Sequence, residues 1–196
     1  MDGMKMSNSF WIRQLKRNLS LLAKKLKSES ADFQRLQFLK IAYVGVGSEL
    51  NGDDAAGLWV VRGLAPLLKD KPHLLCLDSG INPENAIGPL RKFAPEAVVI
   101  IDAADMGQAA GSVQFIESGR VDGINFSTHS LPMNMIGDYL ESELNCAVWL
   151  LGIQPAGLEF GEPLTGVVEN TVKEIVVELA KISMENTGKG NDTNND

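Results

Sequence analysis

From Leu39 to Ile182 the chain alternates between apolar runs of strand length and segments whose apolar residues recur three and four apart. Strand–helix–strand repeats of this kind lay down a largely parallel sheet with helices on both faces. Leu39 to Val46, Leu74 to Leu77, Ala97 to Ile101 and Cys146 to Ile153 are the buried strands. Ser112 to Glu117 alternates apolar and polar residues, as an antiparallel edge strand does. Asp54 to Leu68, Pro83 to Phe93, Leu131 to Leu144 and Thr165 to Ile182 are the helices. Asn82 precedes Pro83 as an N-cap, and Pro132 suits a first turn. The expectation is an α/β three-layer sandwich: a mostly parallel sheet, one antiparallel edge strand, helices on both faces.

At 196 residues the chain is one domain's worth, with appended ends. Residues 1–37 form a basic helical extension, 38–184 the α/β domain, and 185–196 a polar tail expected to be disordered. Within the extension, Ile12, Leu15, Leu19, Leu22 and Leu26 fall on one helical stripe, with Arg13, Lys16, Arg17, Lys24 and Lys25 between them. Packing on the chain's own domain or on a dimer mate is the favoured use of that stripe. Peripheral contact with a membrane surface or a partner through residues 10–26 is the other.

Charge is unevenly spread. Residues 1–40 carry nine of the 18 Lys and Arg and three of the 25 Asp and Glu, a balance of +6 that leaves -13 on the rest of a chain of net charge -7. A body that acidic repels phosphates, which excludes nucleic acid as a partner. No apolar run reaches the roughly 20 residues of a transmembrane helix. Cys76 and Cys146 sit in apolar strand runs and read as reduced core thiols of a cytoplasmic protein.

In open α/β sheets the ligand lies beyond the carboxyl ends of the strands. Those ends deliver Gly47, Gly52, Asp53 and Asp54; Asp78, Ser79 and Gly80; Asp102, Ala103 and Asp105; and Gln154 with Pro155. Several carboxylates meeting at one crevice need a cation or a proton to offset them. Of the two histidines, His73 precedes a strand and lies at the opposite edge. His129 lies in a loop at the acidic edge, just before a helix. One imidazole with two carboxylates suits a borderline divalent ion such as nickel or zinc. The same groups serve equally as a general base with supporting residues. Competing motifs are weak: Gly45-Val46-Gly47 hints at a dinucleotide site, but Leu50 stands at the third glycine position. There is no P-loop, no nucleophile elbow and no His-Glu-x-x-His.

These motifs together resemble the hydrogenase maturation endopeptidases. The resemblance rests on Gly45-Val46-Gly47-Ser48 with Gly52-Asp53-Asp54, on Asp78-Ser79-Gly80 with Pro83-Glu84-Asn85, and on Ile101-Asp102-Ala103 with Asp105-Met106-Gly107. Thr128-His129 with Leu131-Pro132, and Gly152-Ile153-Gln154-Pro155, complete it. The stretches Asp102 to Gly107 and Gly152 to Pro155 look most like the branch serving group 4 hydrogenases. The resemblance implies a peptidase that removes the C-terminal extension of a nickel–iron hydrogenase large-subunit precursor once nickel is installed. It implies Asp54, Asp102 and His129 as the metal-contacting and catalytic residues, with Asp53 a neighbour. It implies nickel supplied by the substrate and not firmly held at rest, and Asp78, Ser79 and Gly80 as the substrate-reading turn. Ser79 departs from the family's usual glycine there, adding a side chain where close approach is expected. The alternatives are a non-catalytic Rossmann-like nucleotide-binding module and a nickel metallochaperone. The N-terminal extension has no counterpart in the family's core, and the oligomeric state stays open.

Overall fold

The computed structural model describes residues 2–29, 38–117, 125–126 and 133–185. In chain order the elements are α1 (Asp2–Glu29), β1 (Ile41–Gly45), α2 (Ala56–Leu68), β2 (Leu74–Asp78), α3 (Ile87–Phe93), β3 (Ala97–Asp105), β4 (Val113–Glu117), β5 (Asn125–Phe126), α4 (Met133–Leu144), β6 (Ala147–Ile153) and α5 (Gly166–Glu185). Two 3₁₀ turns, Gly52–Ala55 and Pro83–Ala86, lead into α2 and α3.

The strands lie in the order β2-β1-β3-β6-β4. The first four are parallel, and β4 runs antiparallel to β6 at the edge. Register sets Gly45 level with Asp78 on one side and Ile101 on the other. Asp102 stands one residue beyond that level, opposite Gly152.

Period-two alternation sorts the strand side chains onto two faces. Tyr43, Val99, Ile101 and Leu151 pack with α1, α2 and α5. Val44, Val98, Ile100 and Leu150 pack with Leu90 of α3 and with Ile136 and Leu140 of α4. This is the α/β sandwich the alternation predicts, edge strand included.

Several elements differ from their expected extents, and the helix expected from Pro83 is α-helical only from Ile87, after a 3₁₀ turn over Pro83–Ala86. The run expected to end at Ile101 continues to Asp105. Its last two residues are held by β5, which pairs antiparallel with Ala104 and Asp105. Asp102 is therefore inside a strand and not in the loop after it. The helix expected from Asp54 begins instead at Ala56, because Gly52 to Ala55 take the tighter 3₁₀ turn. The helix expected from Leu131 is described from Met133. Residues 186–196 of the expected tail lie outside the described residues, and Glu185 closes α5.

Helix α1 lies against β4. Trp11, Leu15 and Leu19 are buried in the α2–α5 side of the core, with Ile12, Leu22 and Leu26 packed against them. The apolar stripe of the extension is thus used within the chain. Polar ties add to it: Lys16 to Glu185 at 2.7 Å and Asn18 to Glu117 at 3.4 Å. Among the described residues no helix is long and apolar enough to cross a membrane.

Because Leu15 is fully buried, Leu15→Ala should lower stability by about 3 kcal/mol, through lost apolar transfer and the cavity left behind. Chemical denaturation monitored by circular dichroism checks it; a change under about 0.5 kcal/mol would mean that α1 does not dock on the domain.

Candidate active site

The start of α2 sits directly on the ends of β1 and β3. A Cβ on Gly57 would fall 2.1 Å from the carbonyl oxygen of Ile101 and 2.5 Å from that of Val46. Only glycine permits that approach. Gly47 has φ +139°, and a Cβ there would lie 1.8 Å from the carbonyl oxygen of Asp54. The turn Gly52–Ala55 is in this way pressed against the mouth between β1 and β3. The amide of Val46 closes the seam by donating to the carbonyl of Ile101 at 2.9 Å.

Two adjacent carboxylates in this turn do different work. Both are fully buried. Asp53 faces the loop after β6. One of its oxygens accepts from the amide of Thr165 at 2.7 Å. The other accepts from the amides of Ala156 and Gly157 at 2.8 and 3.1 Å and from the Thr165 hydroxyl at 2.9 Å. Four donors fill this carboxylate and tie the loop to the turn. Asp54 points the other way, and its Oδ2 accepts from the amide of Ser48 at 2.8 Å.

Asp102 is buried at 1% exposure within β3. It has the parity of Val98 and Ile100, whose side chains face α3 and α4. The 3₁₀ turn that carries Asp54 contacts β3. Both carboxylates thus belong to the carboxyl edge at β1 and β3, but in buried positions, not on the exposed crevice wall that strand-end loops imply. His129 lies outside the described residues, as do Thr128, Leu131 and Pro132. Among the described residues no three His, Cys, Asp or Glu side chains group to hold a metal ion.

The 78–80 turn is stitched to the same edge. The Ser79 amide and hydroxyl both donate to the carbonyl of Gly45, at 3.0 and 2.8 Å, and Ser79 is buried. The Gly80 carbonyl accepts from the amide of Gly47 at 3.0 Å, and the Asn85 side chain donates to the carbonyl of Ser79 at 3.0 Å. The serine side chain therefore turns inward. Gly80, with φ +62° and open space where a Cβ would stand, is the bare part of the turn. Asp78 uses its own Oδ1 to accept from the Gly80 amide at 3.0 Å.

Two residues outside the expected trio shape the neighbouring loops. Gln154 accepts from the amides of Met106 and Gln108 at 2.7 and 3.2 Å and donates to Asp105 at 3.1 Å. The bond from Gln154, followed by one from the Gly107 amide, holds the Asp105 carboxyl below the usual carboxylate range. Arg62 of α2 reaches both Asp78 and Glu49. Strand-end position marked Gln154, but no local pattern marks Arg62.

The remaining nucleophile and base candidates are remote from this chemistry. Burial pushes the Cys76 thiol up to about 12 and the Cys146 thiol up to about 11, so neither supplies a thiolate at neutral pH. His73 stacks on Phe38 with ring centroids 4.8 Å apart, and its carbonyl accepts from the amide of Ile41 at the first residue of β1. Desolvation, followed by Lys71, lowers its pKa.

Residues 59–182 match the model of the hydrogenase maturation protease family. The match takes in Asp78, Asp102 and His129 and begins just after the turn that holds Asp54. A putative hydrogenase maturation protease of Methanocaldococcus jannaschii is 33% identical over 153 residues, covering 71% of this chain and 90% of that protein. The hydrogenase 3 maturation protease of Escherichia coli is 30% identical over 135 residues, covering 68% and 85%. The crystal structure of the NiFe hydrogenase maturation protease HycI from Thermococcus kodakarensis superposes with a TM-score of 0.70 at 28% identity, over 75% of this chain and 94% of that one.

Asp53→Asn keeps the shape of the side chain but turns an amide group toward backbone donors. It should cost about 3 kcal/mol of stability, since buried acceptors of charge-assisted bonds are expensive to lose. Denaturant unfolding of the variant checks this, and an unchanged midpoint would refute the tie.

Proposed function

The chain belongs to the hydrogenase maturation protease family, and from that premise we propose that it removes the C-terminal extension of a nickel–iron hydrogenase large-subunit precursor after nickel insertion. One observation carries the reading most of the way: Asp54 and Asp102, two carboxylates far apart in sequence, are both buried at the β1–β3 edge.

The third member, His129, enters through chain connectivity. It follows Phe126 by three residues, a span of about 10 Å at full extension. Phe126 is paired with Ala104, two residues beyond Asp102. The segment after it leads into α4, which packs on the face to which Asp102 has its parity. With His129 as the third member, one imidazole and two carboxylates make a donor set suited to a borderline divalent ion.

Nickel in this account is part of the substrate, held by the precursor's own thiolates. When engaged, it supplies a Lewis acid beside the peptide to be cut. The chain supplies the rest. Asp54, Asp102 and His129 grip the exposed side of the ion and orient the scissile peptide by that grip. Hydrolysis also needs an acceptor for the proton of the attacking water, and a carboxylate of the pair is the acceptor the chain offers. Three ligands without a thiolate make a modest trap on their own, which keeps the resting site selective for a metal already seated in the precursor. Such a site checks for metal before it cuts. The substrate-reading role falls to Asp78, Ser79 and Gly80, with the bare Gly80 as the place where a peptide approaches. The setting is the cytoplasm, where the precursor is made.

The test is incubation with nickel-loaded and nickel-free precursor, followed by mass spectrometry of its C-terminus. Cleavage of the loaded form alone is expected. Asp54→Asn, Asp102→Asn and His129→Ala should each slow it by about a thousandfold or more while their circular dichroism spectra stay those of a folded protein. Cleavage retained in His129→Ala, or equal cleavage of nickel-free precursor, would overturn the reading.

A further inference from the structure

At the outer rim of the carboxyl edge, Arg62 joins three elements. From the second turn of α2 its Nε donates to Asp78 Oδ2 at 2.6 Å, and its Nη2 reaches the same oxygen at 2.6 Å. That Nη2 also meets Glu49 Oε1 at 2.5 Å. The guanidinium lies 5.4 Å over the Trp59 ring, one helical turn earlier. Glu49 is adjacent to Ser48, whose amide holds Asp54 Oδ2. Asp78 holds the Gly80 amide. One side chain therefore links the loop that orients Asp54 to the turn ending in Gly80.

These groups are partly exposed, 34% for Arg62 and Asp78 and 54% for Glu49. Ion pairs that exposed add little to folding. Their geometry is nonetheless specific: two carboxylates, one closing β2 and one in the loop after β1, are served by the Nε–Nη2 edge of one guanidinium, and a ring lies beneath it. A lysine ammonium carries the charge but not the planar fork. We propose that Arg62 is a positioning residue that sets the Asp78-Ser79-Gly80 turn against the Asp54 loop and so sets how tightly the precursor is read. The inference rests on the proteolytic reading for its kinetic consequence, but not for the brace itself.

Two measurements separate those layers. Hydrogen–deuterium exchange of wild type, Arg62→Ala and Arg62→Lys tests the brace without substrate. The Gly80 amide should exchange about tenfold faster in both variants, while amides of β3 and β6 keep their protection. Steady-state cleavage of nickel-loaded precursor tests its use. KM should rise about tenfold in Arg62→Ala with kcat within about twofold, and Arg62→Lys should fail to restore it. Unchanged exchange at Gly80 overturns the brace. Wild-type KM in Arg62→Ala, or full rescue by lysine, overturns the positioning role. A wild-type protein that cleaves no precursor defeats the proteolytic reading, and exchange at Gly80 then still decides the brace.

Discussion

How closely the start of α2 can approach the ends of β1 and β3 governs everything at the carboxyl edge. Gly57 lies against the carbonyls of Ile101 and Val46, where any side chain would collide. The close seat leaves no room for a regular helical entry, and Gly52 to Ala55 wind into a 3₁₀ turn over Gly47. The turn is buried, and so are both of its carboxylates. A larger residue at position 57 would lift α2 and carry Asp54 away from β3.

Burial obliges each carboxylate to find polar partners. Asp53 solves this by taking four donors from the loop after β6, and thereby fixes the path from Gln154 to Thr165. Asp54 takes the Ser48 amide and remains on the side of β3. Two neighbouring residues of one type are thus tied to different loops, Asp53 to the one after β6 and Asp54 to the one after β1. Gln154 repeats the pattern on the other side of the edge, holding the 105–108 turn with both ends of its amide.

Much of the fold was legible because parallel strands buried on both faces must be apolar throughout, and helices between them must carry one apolar stripe. The antiparallel edge strand was legible in its own apolar–polar alternation, whereas the strand order β2-β1-β3-β6-β4 came only with the structure. The extension of β3 to Asp105 was not legible, since it depends on pairing with Asn125 and Phe126, some twenty residues away. The burial of Asp54 and Asp102 was hidden for a similar reason: nothing local tells a strand-end aspartate facing solvent from one capped by a distant loop. The departure at Ser79 looked like an obstacle to a close-approaching peptide. The structure turns its hydroxyl inward onto the Gly45 carbonyl, so the added side chain occupies the interior. The division between Asp53 and Asp54 rested on the family resemblance alone; the four donors that Asp53 takes come from the loop after β6 and were not legible in the sequence. Arg62 carried no signal, because the two carboxylates it joins lie at separate places in the sequence, in the loop after β1 and at the end of β2.

The claim at the centre is that side chains of this protein touch a nickel ion held by another. Nickel K-edge X-ray absorption on nickel-loaded precursor, alone and mixed with the Asp102→Asn or wild-type protein, addresses that contact without waiting for cleavage. The account predicts that wild-type protein adds oxygen and nitrogen scatterers at about 2.0–2.1 Å to a sulfur-dominated shell, and that Asp102→Asn adds fewer. A nickel spectrum that is the same with and without the wild-type protein, under conditions where the two bind, would contradict it.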